Sequence, residues 1–189
     1  MADNGTKWTM RPFRRSDTQQ VVNLFKQVNR LLAPPEMEAA FQAYIQRSLD
    51  EEIERIEDYY SEHDGLFHVA ESEGCLCGMF GLERSGSDAM ELRRMYVAPQ
   101  VRGLGLGRSL LARAEMLTIE AGRTRLVLST SEIQKAALAL YRSSGYIVSA
   151  EKTAQTGSLK TVGGGLRRFY FEKDLTVSSQ HLQSNSNAP

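Results

Sequence analysis

The stretch Met90–Leu111, MELRRMYVAPQVRGLGLGRSLL, constrains the fold more than any other part of the chain. A β-rich run ends at Pro99, glycines follow at every second position (Gly103, Gly105, Gly107), and an apolar helical pattern begins at once. Glycine in such a turn permits φ > 0 and close approach of another molecule to the backbone. The first amides of the following helix lack carbonyl partners and lie at the positive end of its dipole. Together these features make a phosphate cradle that needs no metal. The plainer reading is chain reversal between a strand and a helix.

Three phosphate patterns compete. A P-loop requires Gly-x-x-x-x-Gly-Lys-Ser/Thr. Counting back from Ser109, Arg108 stands at its lysine and Arg102 at its first glycine. A dinucleotide fingerprint requires Gly-x-Gly-x-x-Gly, and from Gly103 the third glycine falls on Arg108. Gln/Arg-x-x-Gly-x-Gly/Ala is matched in two registers, Gln100–Gly105 and Arg102–Gly107. The stretch therefore resembles the acetyl-CoA pyrophosphate loop of the GNAT superfamily, the Gcn5-related N-acetyltransferases.

A second segment, Leu128–Tyr146 (LSTSEIQKAALALYRSSGY), is similar to that superfamily's Asn-x-x-Ala-x-x-Leu-Tyr-x-x-x-Gly-Phe pattern. Ala137, Leu140, Tyr141 and Gly145 match, Tyr146 replaces Phe, and Gln134 stands where Asn is usual. Its Thr-Ser-x-x-Gln-x-x-Ala form is also distantly similar to the branch that acetylates amino acids and cysteine conjugates.

The order of elements agrees with this resemblance. Trp8–Phe13 reads as a first strand. Ser16 and Gln19 have capping-box spacing ahead of the helical positions Val21, Leu24, Phe25, Val28 and Leu32, which end at Pro34 and Pro35. Phe41, Ile45, Leu49, Ile53, Ile56 and Tyr60 continue at helical steps, as one helix or as two with a break near Ser48. The acidic positions from Asp50 to Glu57 read as a solvated face. Leu66–Ser72 and Cys75–Arg84 flank Glu73-Gly74, a hairpin signal.

In Ala89–Val97, Met90 and Leu92 share one face while Met95 and Val97 fall on the other. A β-bulge near Arg93 and Arg94 explains the shift, as does a strand end buried on both faces. A helix ending at Gly122, a strand at Leu126–Ser129, a helix over Glu132–Ser144, a strand at Tyr146–Val148, a glycine-rich loop over Ala154–Gly165 and a last strand at Leu166–Lys173 follow. The expected architecture is α/β (α+β): a mixed central sheet of about seven strands flanked by four or more helices. By resemblance, the fourth and fifth strands splay. Residues 1–175 are expected to form the acetyltransferase domain, and the Ser-, Gln- and Asn-rich residues 176–189 a disordered tail.

Charge excludes one class of partner. Twenty-three basic residues balance 23 acidic ones, without the basic excess of a nucleic-acid binder. The two cysteines, Cys75 and Cys77, are too close for a disulfide framework and lack partners for zinc. No apolar run approaches a membrane span of roughly 20 residues, and MADNGTKW has no signal-peptide core. The expectations are a cytoplasmic protein, monomer or homodimer, with no metal and neither nucleic acid nor membrane as partner.

The resemblance implies roles. Backbone amides across Arg102, Gly103, Leu104, Gly105, Leu106, Gly107, Arg108 and Ser109 would hold the acetyl-CoA pyrophosphate. Met95, Tyr96 and Val97 would pair with its pantetheine, an extended ligand adding to a strand edge, and Gln134 would contact it. An amide such as that of Val97 would receive the thioester oxygen. Tyr141 would be the general acid, since a phenol with pKa about 10 keeps its proton at neutral pH.

For the base, Glu91 and Glu83 are candidates, directly or through water, although an α-amine with pKa near 8 needs little help. Arg93 and Arg94 would suit a substrate carboxylate, or be sheet-surface charges. The expected reaction is transfer of an acetyl group from acetyl-CoA to the primary amine of a small molecule in a ternary complex. The alternatives are a protein or peptide N-acetyltransferase, and a non-catalytic acetyl-CoA-binding module. A Cys75 or Cys77 acyl-enzyme is more remote, because nothing places a base beside either.

Overall fold

Seven strands, β1 (Thr9–Pro12), β2 (Leu66–Ser72), β3 (Cys75–Ser85), β4 (Ala89–Val97), β5 (Arg125–Ser131), β6 (Ile147–Ala154) and β7 (Leu166–Asp174), form one sheet in the order β1-β2-β3-β4-β5-β7-β6. The computed structural model describes residues 8–176; beyond Thr176, the proposed tail lies outside them. All neighbours pair antiparallel except β4 with β5, which are parallel. The helices are α1 (Thr18–Leu32), α2 (Glu38–Glu51), α3 (Ile56–Glu62), α4 (Leu106–Glu120) and α5 (Lys135–Ser143).

The two faces of β3 show the layering. On one, Gly78 lies so close to Leu106 and Leu110 of α4 that a Cβ there would come within 3.1 Å of both. On the other, Gly81 lies under Tyr60 of α3. The core fills both spaces, with Phe25, Ile45, Ile53 and Met79 among the residues toward α1–α3, and Phe80, Leu106, Leu110 and Leu111 among those around α4. The β2–β3 hairpin turns through Glu73 (φ 52°) and Gly74 (φ 79°), the left-handed pair a two-residue loop requires.

Several boundaries differ from expectation for local reasons. Asp17, not Ser16, organises the first helical entry: it accepts the Arg14 amide (2.8 Å) and is itself gripped by Arg11 (2.7 Å). The break after α2 comes at Glu52 (φ −139°, ψ −58°) rather than Ser48, and a short turn over Ile53–Arg55 leads into α3. Helix α5 starts at Lys135 instead of Glu132, because Gln134 serves as its N-cap residue. Strand β6 runs six residues past Val148, to Ala154. Among the described residues, no helix is long and apolar enough to cross a membrane.

Candidate active site

Strands β4 and β5 pair over only four positions, Ala89↔Arg125 to Leu92↔Leu128. Beyond Leu92 they part. The cause lies in β4, where Met79 pairs with Tyr96 but Gly81 with Arg93, so Phe80 faces two residues, Arg94 and Met95. Arg94 takes φ 51°, the left-handed conformation of an inserted residue. This is the anticipated bulge, and it turns the strand away from its neighbour. Among the described residues, the edge Met95–Val97 has no strand partner on the β5 side.

The gap opens to both faces of the sheet. On the α4 face, a groove of about 400 Å³ runs from Arg102, Gly103 and Gly107 past Met95–Val97 to Gln134 and Tyr141. On the α2 face, a cavity of about 110 Å³ is lined by Glu91, Arg93, Arg94, Lys160 and Arg168, among others. Met95, Tyr96, Gln134 and Tyr141 belong to both walls.

At the groove's head, Pro99–Val101 form a single turn. The chain then reverses through Gly103 (φ 79°) and Gly105 (φ 91°), and Gly105 caps α4. Among the described residues, the amides of 103–108 donate to no carbonyl; the first that does is Ser109, to Gly105 (3.1 Å). Such a row of free amides at a helix N-terminus suits a diphosphate. Arg102, Leu104 and Arg108 are exposed around it, while the buried Leu106 side chain anchors the turn. The Ser109 hydroxyl donates to the Gly105 carbonyl (3.3 Å).

Gln134 Oε1 accepts from the Thr130 hydroxyl (2.7 Å) and the Ser131 amide (3.2 Å), which leaves Nε2 as a donor for the gap. Two turns along, Tyr141 is 6% exposed, and its hydroxyl lies 4.0 Å from Met95 Sδ. Burial pushes its pKa well up, so the proton stays on oxygen until something basic approaches.

The α2 face holds an ion network. Glu52, wholly buried, accepts from Arg93 Nη2 (2.7 Å), Arg94 Nη2 (2.6 Å) and the Tyr60 hydroxyl (2.8 Å). Glu83 accepts from Arg93 Nη1 (2.8 Å), Lys160 Nζ (3.1 Å) and the Tyr59 hydroxyl (3.1 Å). Burial pushes both carboxyls up, but Arg94 and Arg93 outweigh it at Glu52, as Arg93 and Lys160 do at Glu83; both are held below the usual range. Glu91 pairs with Lys160 (2.5 Å).

The arginines proposed for a substrate carboxylate thus pair with internal carboxylates, Arg94 donating also to the Tyr44 hydroxyl and the Leu159 carbonyl, while its Nε has no partner among the described residues. Glu52, grouped in the sequence with a solvated face, is their buried counter-charge. Its signal was phase: Ile45, Leu49, Glu52 and Ile56 follow at helical steps. Arg168, which no motif marked, is 8% exposed in the same cavity.

The acetyltransferase (GNAT) family model matches residues 29–146, which hold both motif segments. The chain belongs to that family. Relatives include the uncharacterized N-acetyltransferase YjgM of Escherichia coli, 35% identical over 100 residues, 51% of this chain and 60% of that protein. The IAA acetyltransferase of Azospirillum brasilense is 38% identical over 85 residues, 44% and 55% of the two chains. N-acetyltransferase family 8 member 3 of Mus musculus is 36% identical over 104 residues, 52% and 44%. This chain spans about half the length of the curated relatives it matches.

Among solved structures, a GNAT family acetyltransferase from Staphylococcus aureus Mu50 aligns with TM-score 0.68 and 17% identity over 90% of this chain and all of that one. The PaiA N-acetyltransferase from Thermoplasma acidophilum, solved in complex with coenzyme A, aligns with TM-score 0.67 and 18% identity over 89% and 99%. At these identities the GNAT fold is what is shared.

Proposed function

We propose that this GNAT protein transfers the acetyl group of acetyl-CoA to the primary amine of a small molecule, by direct attack in a ternary complex. The reading rests on Tyr141, which lines both the groove and the cavity. A donor held on one face and an acceptor on the other meet beside its hydroxyl. Holding two reactants in that geometry removes much of the entropic barrier. When bound, acetyl-CoA supplies an activated thioester carbonyl.

The chain's own residues do the rest. Amides 103–108 receive the pyrophosphate, the open edge Met95–Val97 and Gln134 Nε2 receive the pantetheine, and the Val97 amide receives the carbonyl oxygen as charge develops there. Tyr141 gives its proton to the departing sulfur. Glu91, on the cavity wall and more exposed than Glu83, is the better carboxylate to take a proton from the amine through water. Glu83, held low by its cations, is a weak base.

The test is release of free thiol from acetyl-CoA with amino acids, polyamines, aminoglycosides and peptides as acceptors. Amine-dependent release is expected, and release indifferent to amine overturns the transfer. Tyr141→Phe should lower kcat about 10²–10⁴-fold, the usual worth of a positioned acid, with little change in KM for acetyl-CoA. A variant that keeps full kcat removes the assignment.

A further inference from the structure

Charge on the acceptor side of the gap does not balance. Three carboxylates, Glu52, Glu83 and Glu91, stand with four cations, Arg93, Arg94, Lys160 and Arg168, and every ion pair falls to the first three cations. Arg168 is the surplus. Among the described residues it has no carboxylate partner, and its hydrogen bond runs from Nη2 to Ser129 Oγ (2.5 Å). A guanidinium carries five N–H donors, and a buried one without a counter-charge is rare.

Its neighbour sharpens the imbalance. Lys152 of β6 stands directly opposite Arg168 across the antiparallel pair, so both side chains leave the same face of the sheet. Lys152 is exposed, and its ammonium lies 5.4 Å from the centre of the Tyr170 ring; it too has no carboxylate partner among the described residues. Like charges set opposite one another weaken a sheet. An anion arriving between them relieves that repulsion and satisfies the open guanidinium donors in a bidentate fork. Arg93 and Arg94 line the same cavity with their charge already matched by Glu52 and Glu83, although Arg94 Nε has no partner among the described residues.

We propose that Arg168, with Lys152 opposite it on β6, receives an anionic group of the acceptor, and that the substrate class is a small amine carrying a carboxylate. Arg168 and Tyr141 line one cavity, so an acceptor held by its carboxylate on β7 presents its amine toward α5. The cavity, about 110 Å³, is well below the roughly 300 Å³ at which pockets begin to take drug-sized ligands, which fits a compound of amino-acid size. The fate of the amine rests on the acetyl-transfer reading; capture of the carboxylate does not.

The experiment is calorimetric titration of the coenzyme A-loaded protein with amino acids, their carboxamides and their aminophosphonate analogues, with thiol release from acetyl-CoA measured on the same panel. The protein should bind carboxylates about tenfold or more tighter than the matching carboxamides, the scale of a charge-assisted contact. Arg168→Met should abolish that preference and leave carboxamide binding unchanged, and Arg168→Lys should keep part of it. Lys152→Glu, at an exposed position, should weaken carboxylate binding alone and decides the matter if Arg168→Met does not fold. Equal binding of carboxylate and carboxamide overturns the proposal, as does equal weakening of both by Arg168→Met. Tighter binding of the phosphonate overturns the carboxylate assignment. A carboxylate preference without thiol release counts against acetyl transfer only.

Discussion

The Tyr60 hydroxyl reaches Glu52 by crossing Gly81, where a Cβ would come within 2.0 Å of the hydroxyl oxygen. Two segments therefore meet at one buried carboxylate, α3 through Tyr60 and β4 through Arg93 and Arg94, and β3 makes room for the first at Gly81. Removing one member of a buried ion pair leaves the others unmatched in low dielectric, at about 3–5 kcal/mol. Glu52→Ala should lower unfolding stability by that amount, measured by urea titration. A loss below 1 kcal/mol would mean that the guanidiniums find other partners.

At this scale the sequence was only partly legible. Tyr141, Gln134 and the glycines belong to short motifs whose spacing is local. Glu52 and Glu83 come together on Arg93 from a helix break and a strand, and Arg168 reaches the cavity beside Arg93 from β7; only the folded sheet brings these segments near one another. Arg93 and Arg94 were found by position, but their partners lie across the chain.

The strand-to-helix unit Ala89–Glu120 is the element that shapes the candidate site. Its bulge was readable because an inserted residue shifts the in–out alternation, as Met90 and Leu92 against Met95 and Val97 showed. Its turn was readable because only glycine takes φ 79° and 91° easily. The N-terminus of α5 was not: Gln134 bends back onto Thr130 and Ser131, and periodicity carries no trace of that side-chain bond. Gly105→Val would force a β-branched residue to φ near 91° at the cap of α4. The expected outcome is a loss of about 1–2 kcal/mol in urea unfolding together with a raised KM for acetyl-CoA in the thiol assay. An unchanged KM would dissociate the turn from diphosphate binding.

Across the whole molecule, buried carboxylates couple folding to acidity. Glu52 and Glu83 hold their protons less tightly than free carboxyls because Arg93, Arg94 and Lys160 outweigh burial, and Asp17 does so because Arg11 hydrogen-bonds it. A carboxyl whose folded pKa is depressed contributes its full stability above its unfolded value, about 4, and loses it as pH falls through the folded value. Stability measured by urea should therefore begin to fall near pH 6.5, because burial keeps the His68 imidazole neutral in the fold down to about 4, and fall further below about 4 as the carboxyls take up protons. Glu52→Gln should flatten the part of the drop below about pH 4 and leave the histidine part in place, and an identical profile in that variant would place the carboxylate linkage elsewhere.

The sheet is two half-sheets, β1–β4 and β5–β7, stitched through hydrogen bonds along a seam of four residue pairs at one end. The other end is left as an open fork whose tines carry Met95–Val97 on one side and Ser129–Ser131 on the other. Whatever lodges between the tines becomes, for as long as it stays, the missing stitches: occupancy and the mechanical unity of the two halves rise and fall together.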